Sequence, residues 1–262
     1  KMCAIGAKTC IPTTVNAISV DRENWQKQGV EVDFGAKASR LADVYLDMGA
    51  RATFTCAPYF LKDLPKKNEA IGWSESNAVI YANTVLGART EKHPDYLDLF
   101  IAITGRAPNA GVYLAENRVP ECEISVNLPS HFDDAIWPML GWLSGAKAPN
   151  NIPLITGLEA ISISPEELQA LCAAFGTTSA APMLHIRGHT PESHLLPHRF
   201  LKSCCITVEE FRQLWNQFNA SGTCIDLVAI GSPHSSLAEC RRFAELLDGK
   251  KCHYATQTIL TV

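Results

Sequence analysis

The chain has 262 residues, 47% of them hydrophobic, with a formal net charge of −4 and a pI near 6.1. That is enough apolar material for a sizeable core in one large or two ordinary domains. The absence of a Lys/Arg run argues against a nucleic-acid partner, and no apolar stretch approaches the roughly 18 residues of a membrane span. Ten cysteines form no C-x-x-C and no zinc-like spacing, so they read as small buried side chains, and any metal site must be assembled from distant segments. Lys1-Met2-Cys3-Ala4-Ile5 lacks a signal-peptide layout, which predicts a cytoplasmic protein, and a chain that starts on Lys1 is expected to have residues upstream.

In chain order, residues 8–12 read as a strand. Residues 37–48 read as a helix with Leu41, Val44, Tyr45 and Met48 inward, and residues 51–56 as a strand ending before Pro58. A small-residue helix over 76–86 is followed by another over 96–103, a strand over 121–128, a Trp-rich helix over 132–143 and a linker at 146–151. The second half is more sharply punctuated. A strand over 152–155 leads to Ser164-Pro165-Glu166-Glu167, with Ser at N-cap, Pro at N1 and Glu at N3. Leu168, Leu171, Cys172 and Phe175 then share one face, and Gly176 ends the helix. A strand over 182–186, a capping box at Thr207-Val208-Glu209-Glu210, a buried strand over 225–230, a helix capped by Ser236 and a strand over 253–261 complete the chain. Residues 189–200, rich in His and Pro, fit a mobile loop, and Cys204-Cys205 reads as core.

Strands alternating with helices imply βαβ units. The expectation is an α/β fold of two lobes, residues 1–148 and 149–262, each with a mostly parallel sheet flanked by helices. Ligands of such sheets bind beyond the carboxyl ends of the strands. Pro12-Thr13-Thr14-Val15-Asn16, Thr55-Cys56-Ala57-Pro58-Tyr59 and Gly231-Ser232-Pro233-His234-Ser235 occupy such ends. Gly72-Trp73-Ser74-Glu75-Ser76-Asn77-Ala78 leads into a helix N-terminus suited to a carboxylate. Each residue also has a plainer reading: Cys56 and Tyr59 as packing, Ser232, Ser74 and Ser76 as caps, His234 as a solvated loop histidine, Thr13 and Thr14 as partners of local backbone, Glu75 as a first-turn acid.

The block from Trp73-Ser74-Glu75-Ser76-Asn77-Ala78 through Gly87-Ala88-Arg89-Thr90 resembles the signature of the aconitase X family. The Pro12, Thr55 and Gly231 segments and Ile103-Thr104-Gly105-Arg106-Ala107-Pro108 are similar too, in the right order along essentially the whole chain. The resemblance implies aconitase-like lobes and dehydration of a small hydroxy acid at an iron or iron–sulfur centre, here a [2Fe-2S] cluster or a single iron. It implies Cys56 as one metal ligand, Ser232 as a second at a position where many members have Cys, and a third in a Cys-containing segment expected after residue 262. It also implies a small swivelling domain, in cis or as a separate subunit. Thr13, Thr14, Asn16, Ser74, Ser76 and Asn77 would bind substrate, and Glu75 and His234 are the visible candidates for the general base, the alternative being a segment outside this sequence. Ser at 232 and the Glu91-Lys92-His93-Pro94 stretch resemble the branch that dehydrates cis-3-hydroxy-L-proline to Δ1-pyrroline-2-carboxylate. The alternatives are the mevalonate 5-phosphate dehydratase branch and a metal-free binding module that kept the fold.

Overall fold

The computed structural model describes every residue except 1, 17, 198, 199, 201, 220, 221 and 223. Its centre is a four-stranded parallel sheet built from β1 (Cys122–Val126), β2 (Pro153–Thr156), β3 (His185–Ile186) and β4 (Lys202–Ile206), in the order β3-β2-β1-β4. β1 takes an inner place with its alternate residues Cys122, Ile124 and Val126 buried, while β2 is buried throughout. Parallel neighbours need crossovers, and the helices α4 (Ile136–Lys147) and α5 (Pro165–Thr178) supply them.

α4 and α5 pack closely because α4 presents glycine where α5 crosses. A Cβ on Gly141 would stand 2.1 Å from the Leu171 carbonyl oxygen, and one on Gly145 would stand 2.0 Å from Thr178 Oγ1. Behind that seam Trp137, Leu140, Leu171, Cys172 and Phe175 are buried against Ile124 and Ile155. Each large side chain there contributes roughly 1.5–3 kcal/mol of hydrophobic stabilisation. α5 begins where its residues require: Ser164 accepts from the Glu167 N–H, Glu167 returns the bond, and Pro165 stands at the first helical position. Its continuation past Gly176 to Thr178 corrects the expected stop. Gly176 faces α2 (Ser76–Tyr81), where a Cβ would make ordinary contact with Ile80 Cγ1 at 3.5 Å.

The boundary expected at residue 148 falls inside this sheet. β1 pairs with β2 across it, Ile124 against Ile155, and α4 runs to Lys147 with its cap at Ala148. The first half departs further from expectation. Before β1, the described residues contain no strand, only the parallel bridges Thr14–Arg51 and Ala70–Arg89. Extended backbone after Arg51 is interrupted at Phe54, which has φ 43°. Helices dominate there: α1 (Val32–Asp47), α2, which ends in a π-helical turn over Ala82–Leu86, and α3 (Asp95–Thr104). α1 buries Gly35 and Ala42 rather than Leu41, which is 57% exposed. Its packing is set by Gly35, where a Cβ would lie 2.3 Å from the Trp25 ring.

β4 departs from the sequence expectation, and it places Cys204 and Cys205 half-buried at the sheet edge beside β1. It is followed by α6 (Val208–Phe218). At the C-terminal end, β5 (Leu227–Ile230) and β6 (Gln257–Leu260) form a two-stranded parallel sheet crossed by α7 (Leu237–Leu247). β5 is largely exposed, not buried as expected.

The stretch read as a mobile loop, 189–200, is anchored where it is described. Glu192 is buried against Arg118, whose guanidinium also bonds Asn83 Oδ1, the Asn83 carbonyl and the Val112 carbonyl. Arg118 is fully buried, so this ion pair and its carbonyl partners satisfy a charge that would otherwise be costly. His189 adds a bond to the Leu158 carbonyl at 2.9 Å. Residues 198 and 199 lie outside the described residues.

Candidate functional site

Four sequence-distant segments meet beside the start of α2 and α5. Glu75 precedes α2 and caps it without a side-chain bond of its own. Its carboxylate is gripped instead by two amides: Asn16 Nδ2 donates to Oε2 at 2.9 Å and Asn77 Nδ2 donates to Oε1 at 3.3 Å. Asn77 is itself fixed, because the Tyr59 phenol donates to its Oδ1 at 2.7 Å. That bond sets which end of the Asn77 amide faces Glu75. Tyr59 stacks on Tyr81 with ring centroids 4.1 Å apart. Burial pushes the Tyr59 phenol well above its ordinary range, with a hydrogen bond to Gln169 opposing the rise, so it stays a neutral donor.

Cys56 lies three residues before Tyr59 and is half-buried. Its Sγ accepts the backbone N–H of His234 at 3.2 Å. Burial raises the Cys56 thiol, the His234 N–H opposes the rise, and the charge of Glu75 adds to it. The carbonyl of the same His234 accepts from Gln169 Nε2 at 3.3 Å. Its ring Nδ1 is buried with no partner among the described residues. Ser236, just beyond, caps α7 and donates to Glu166 at 3.0 Å, tying the 231–236 loop to the first turn of α5.

The structure thus brings together Asn16, Glu75, Asn77, Cys56 and the loop of Ser232 and His234. Thr13 spends its hydroxyl on the Ile11 carbonyl at 2.9 Å, and Thr14 belongs to the bridge with Arg51. Ser76 is exposed at the start of α2. Ser74 turns to α3, where its hydroxyl bonds Asp98 at 2.5 Å. Asp98 Oδ1 in turn lies 3.1 Å from His93 Nδ1, an ion-pair distance without hydrogen-bond alignment. Burial raises the Asp98 carboxyl, against the lowering by Ser74 and His93.

Two residues of the cluster escape a reading of the sequence. Tyr59 stands there with packing as its plain role, and Gln169 does not stand out at all. Gln169 borders the buried stripe of α5, three residues before Cys172, and is 4% exposed. A polar residue beside an apolar helical stripe, with a buried amide to satisfy, is the signal that could have found it.

A metal suits this place in part. The donors this place offers are the Cys56 thiol and the Ser232 hydroxyl, on the loop whose His234 N–H reaches Cys56, a sulfur and oxygen pair compatible with iron. Among the described residues, no group of three or more His, Cys, Asp or Glu is placed to close a site unaided.

Comparison with known proteins bears on the whole arrangement. A family model described as "Aconitase X first domain" matches residues 1–116, and "Aconitase X second domain" matches residues 120–216. The break between these two regions lies near Arg118. Cis-3-hydroxy-L-proline dehydratase of Hypocrea jecorina is 42% identical over 98% of this chain, and that of Pseudomonas aeruginosa is 43% identical over 98%. The chain spans only 44% and 45% of those two proteins. The phosphomevalonate dehydratase large subunit of Methanocaldococcus jannaschii is 32% identical over 93% of this chain and 62% of its own length. The crystal structure of Thermococcus kodakaraensis aconitase X in its holo form superposes with a TM-score of 0.82 at 32% identity, over 94% of this chain and 61% of that one.

Proposed function

Because the chain belongs to the aconitase X family, we propose that the full-length protein is a hydro-lyase that dehydrates cis-3-hydroxy-L-proline to Δ1-pyrroline-2-carboxylate. The observation that carries the reading is the convergence of Asn16, Glu75, Asn77 and Cys56 with the His234 loop. Over 98% of its length the chain is 42–43% identical to two such dehydratases.

The reaction removes the proton at C2 and expels the hydroxyl at C3, and the resulting enamine tautomerises to the cyclic imine. Glu75 is the carboxylate poised for the proton. Each of its oxygens accepts one amide N–H, which leaves further lone-pair sites for a substrate C–H or N–H. The clamp from both sides restricts the carboxylate to one orientation, and orientation is a large part of rate. His234 Nδ1, buried and unpartnered among the described residues, is the second group able to hold a proton at this place. Ser76 and Thr14 are the proposed partners of the substrate carboxylate.

An iron or iron–sulfur centre, either [2Fe-2S] or a single iron, belongs to this proposal with Cys56 and Ser232 as ligands. The chemistry such a centre supplies when bound is Lewis-acid polarisation of the departing hydroxyl. A small swivelling domain, in cis or as a separate subunit, and a cytoplasmic location are part of the same reading. No helix among the described residues is long and apolar enough to cross a membrane.

Phosphomevalonate is the rival substrate, by virtue of the 32% identical relative. The hydrogen bonds described for Glu75, Asn77, Tyr59 and Cys56 run to amides, a phenol and a backbone N–H, and none of them involves a lysine or arginine. The test is turnover of both compounds by equal amounts of full-length protein, purified without oxygen. Cyclic imine from hydroxyproline with no loss of phosphomevalonate is expected. Turnover of phosphomevalonate alone contradicts the substrate assignment.

A further inference from the structure

Gln169 stands where the parts of the cluster meet. It sits in the first turns of α5 at 4% exposure. Its Nε2 donates to the His234 carbonyl at 3.3 Å, and the same side chain opposes the burial-driven rise of the Tyr59 phenol. A primary amide nitrogen carries two hydrogens, so one is free to face Tyr59 while the other serves the His234 carbonyl. From the His234 carbonyl the path leads through the His234 N–H to Cys56 Sγ at 3.2 Å. From Tyr59 it leads through the hydroxyl to Asn77 Oδ1 at 2.7 Å, and from Asn77 Nδ2 to Glu75 Oε1 at 3.3 Å.

We infer that Gln169 is a positioning residue for the proposed reaction: one buried amide sets both the His234 loop over Cys56 and, through Tyr59 and Asn77, the orientation of the Glu75 carboxylate. The inference rests on the reading of this cluster as the active site and adds to it a residue of the second family domain. Leucine would fill the same space without an amide to satisfy, and a buried amide is costly unless its bonds are made. Here the described bond leads to the His234 loop over Cys56, and the same amide neighbours the Tyr59 phenol that orients Asn77. The alternative is that Gln169 only ties α5 to its neighbours, and that role would show in stability alone.

The test uses the full-length protein with Gln169→Leu, Tyr59→Phe and the double variant, assayed on cis-3-hydroxy-L-proline and normalised to folded protein. Misplaced catalytic groups cost up to about 100-fold in rate. The expected result is a kcat loss of about 10- to 100-fold in Gln169→Leu with KM nearly unmoved. The double variant should fall little below the worse single, because both residues act through one chain of bonds. An unchanged kcat in Gln169→Leu, or losses in the two singles that multiply in the double, overturns the inference. Should Gln169→Leu fail to fold, Tyr59→Phe, which removes one oxygen, carries the kinetic test under the same criterion for kcat and KM. Independently of activity, backbone amide exchange over residues 231–236 should quicken about 10-fold in a folded Gln169 variant. Unchanged exchange overturns the inference. Absence of hydroxyproline turnover in the unmutated protein sinks the substrate reading, and the exchange result still decides on Gln169.

Discussion

The backbone N–H of His234 donates to Sγ of Cys56 at 3.2 Å, although 178 positions separate the two residues in the chain. This contact joins the two segments that the sequence nominated for metal binding. It also fixes the place of Ser232, two residues earlier on the same loop.

Replacing Cys56 with alanine removes the one thiol described at this junction. Iron content of anaerobically purified protein should drop sharply, together with its visible absorbance. Ser232→Cys should retain iron, since sulfur is a competent ligand at that position. Iron analysis of the two variants beside the parent decides, and full iron in Cys56→Ala rules Cys56 out as a ligand.

Glu75→Gln keeps the shape of the side chain, deletes its basicity and turns one of its two acceptor oxygens into an N–H donor, which Asn16 can meet by turning its amide. Removal of a general base costs typically about 10²–10⁴-fold in rate. The loss should fall on kcat, with folding cooperativity and melting temperature close to those of the parent. A Glu75→Gln protein with parental kcat assigns proton removal elsewhere, His234 first.

Arg118 and Glu192 hold the junction between the two family-matched regions. Breaking one partner of a buried pair costs on the order of 3–5 kcal/mol, because the other charge is left uncompensated. Glu192→Gln should therefore lower stability by an amount in that range in denaturant unfolding. A loss below about 1 kcal/mol, the scale of exposed pairs, would show that the pair is not buried in solution.

Burial lowers the basicity of His185, whose Nε2 lies 2.7 Å from the Arg118 carbonyl. A base with a depressed folded-state value binds its proton more readily when unfolded, so stability is present above the ordinary value of 6.5 and is lost as pH falls below it. Unfolding free energy measured from about pH 7.5 down to about pH 5 should decline, and His185→Gln should flatten part of that slope. An identical slope in both proteins dismisses His185 as a source of acid sensitivity.

Packing at the α4–α5 seam makes a sharper demand. Gly141→Ala would place a methyl 2.1 Å from the Leu171 carbonyl oxygen. Overpacking typically costs about 1–3 kcal/mol, and here it would also displace the helix that carries Gln169. A lowered melting temperature with reduced kcat per folded molecule is expected, against unchanged values if α4 simply slides away.

The second half is legible in the sequence because its signals are local. Ser164, Thr207 and Ser236 each begin a capping box that the structure reproduces. The first half is not, since its would-be strands bond as single bridges and a positive φ at Phe54 leaves no sequence trace. Ala148 and Asn150 look like a linker, whereas β1 pairs with β2 across them. Within the site, Cys56, Glu75, Asn77 and His234 are visible as residues past strand ends or at a helix start. The resemblance also places Ser74 among the substrate-binding residues, but its hydroxyl bonds Asp98, a tertiary contact that no local pattern shows. Gln169 stays hidden for the same reason: its partners are 65 positions away at His234 and further still at Tyr59.

The central claim is that the cluster of Cys56 and Glu75 dehydrates cis-3-hydroxy-L-proline. It is tested most directly by following Δ1-pyrroline-2-carboxylate formation by the full-length protein and by its Cys56→Ala variant under identical anaerobic conditions. The account predicts cyclic imine from the parent and none from the folded variant; equal product from both would contradict it.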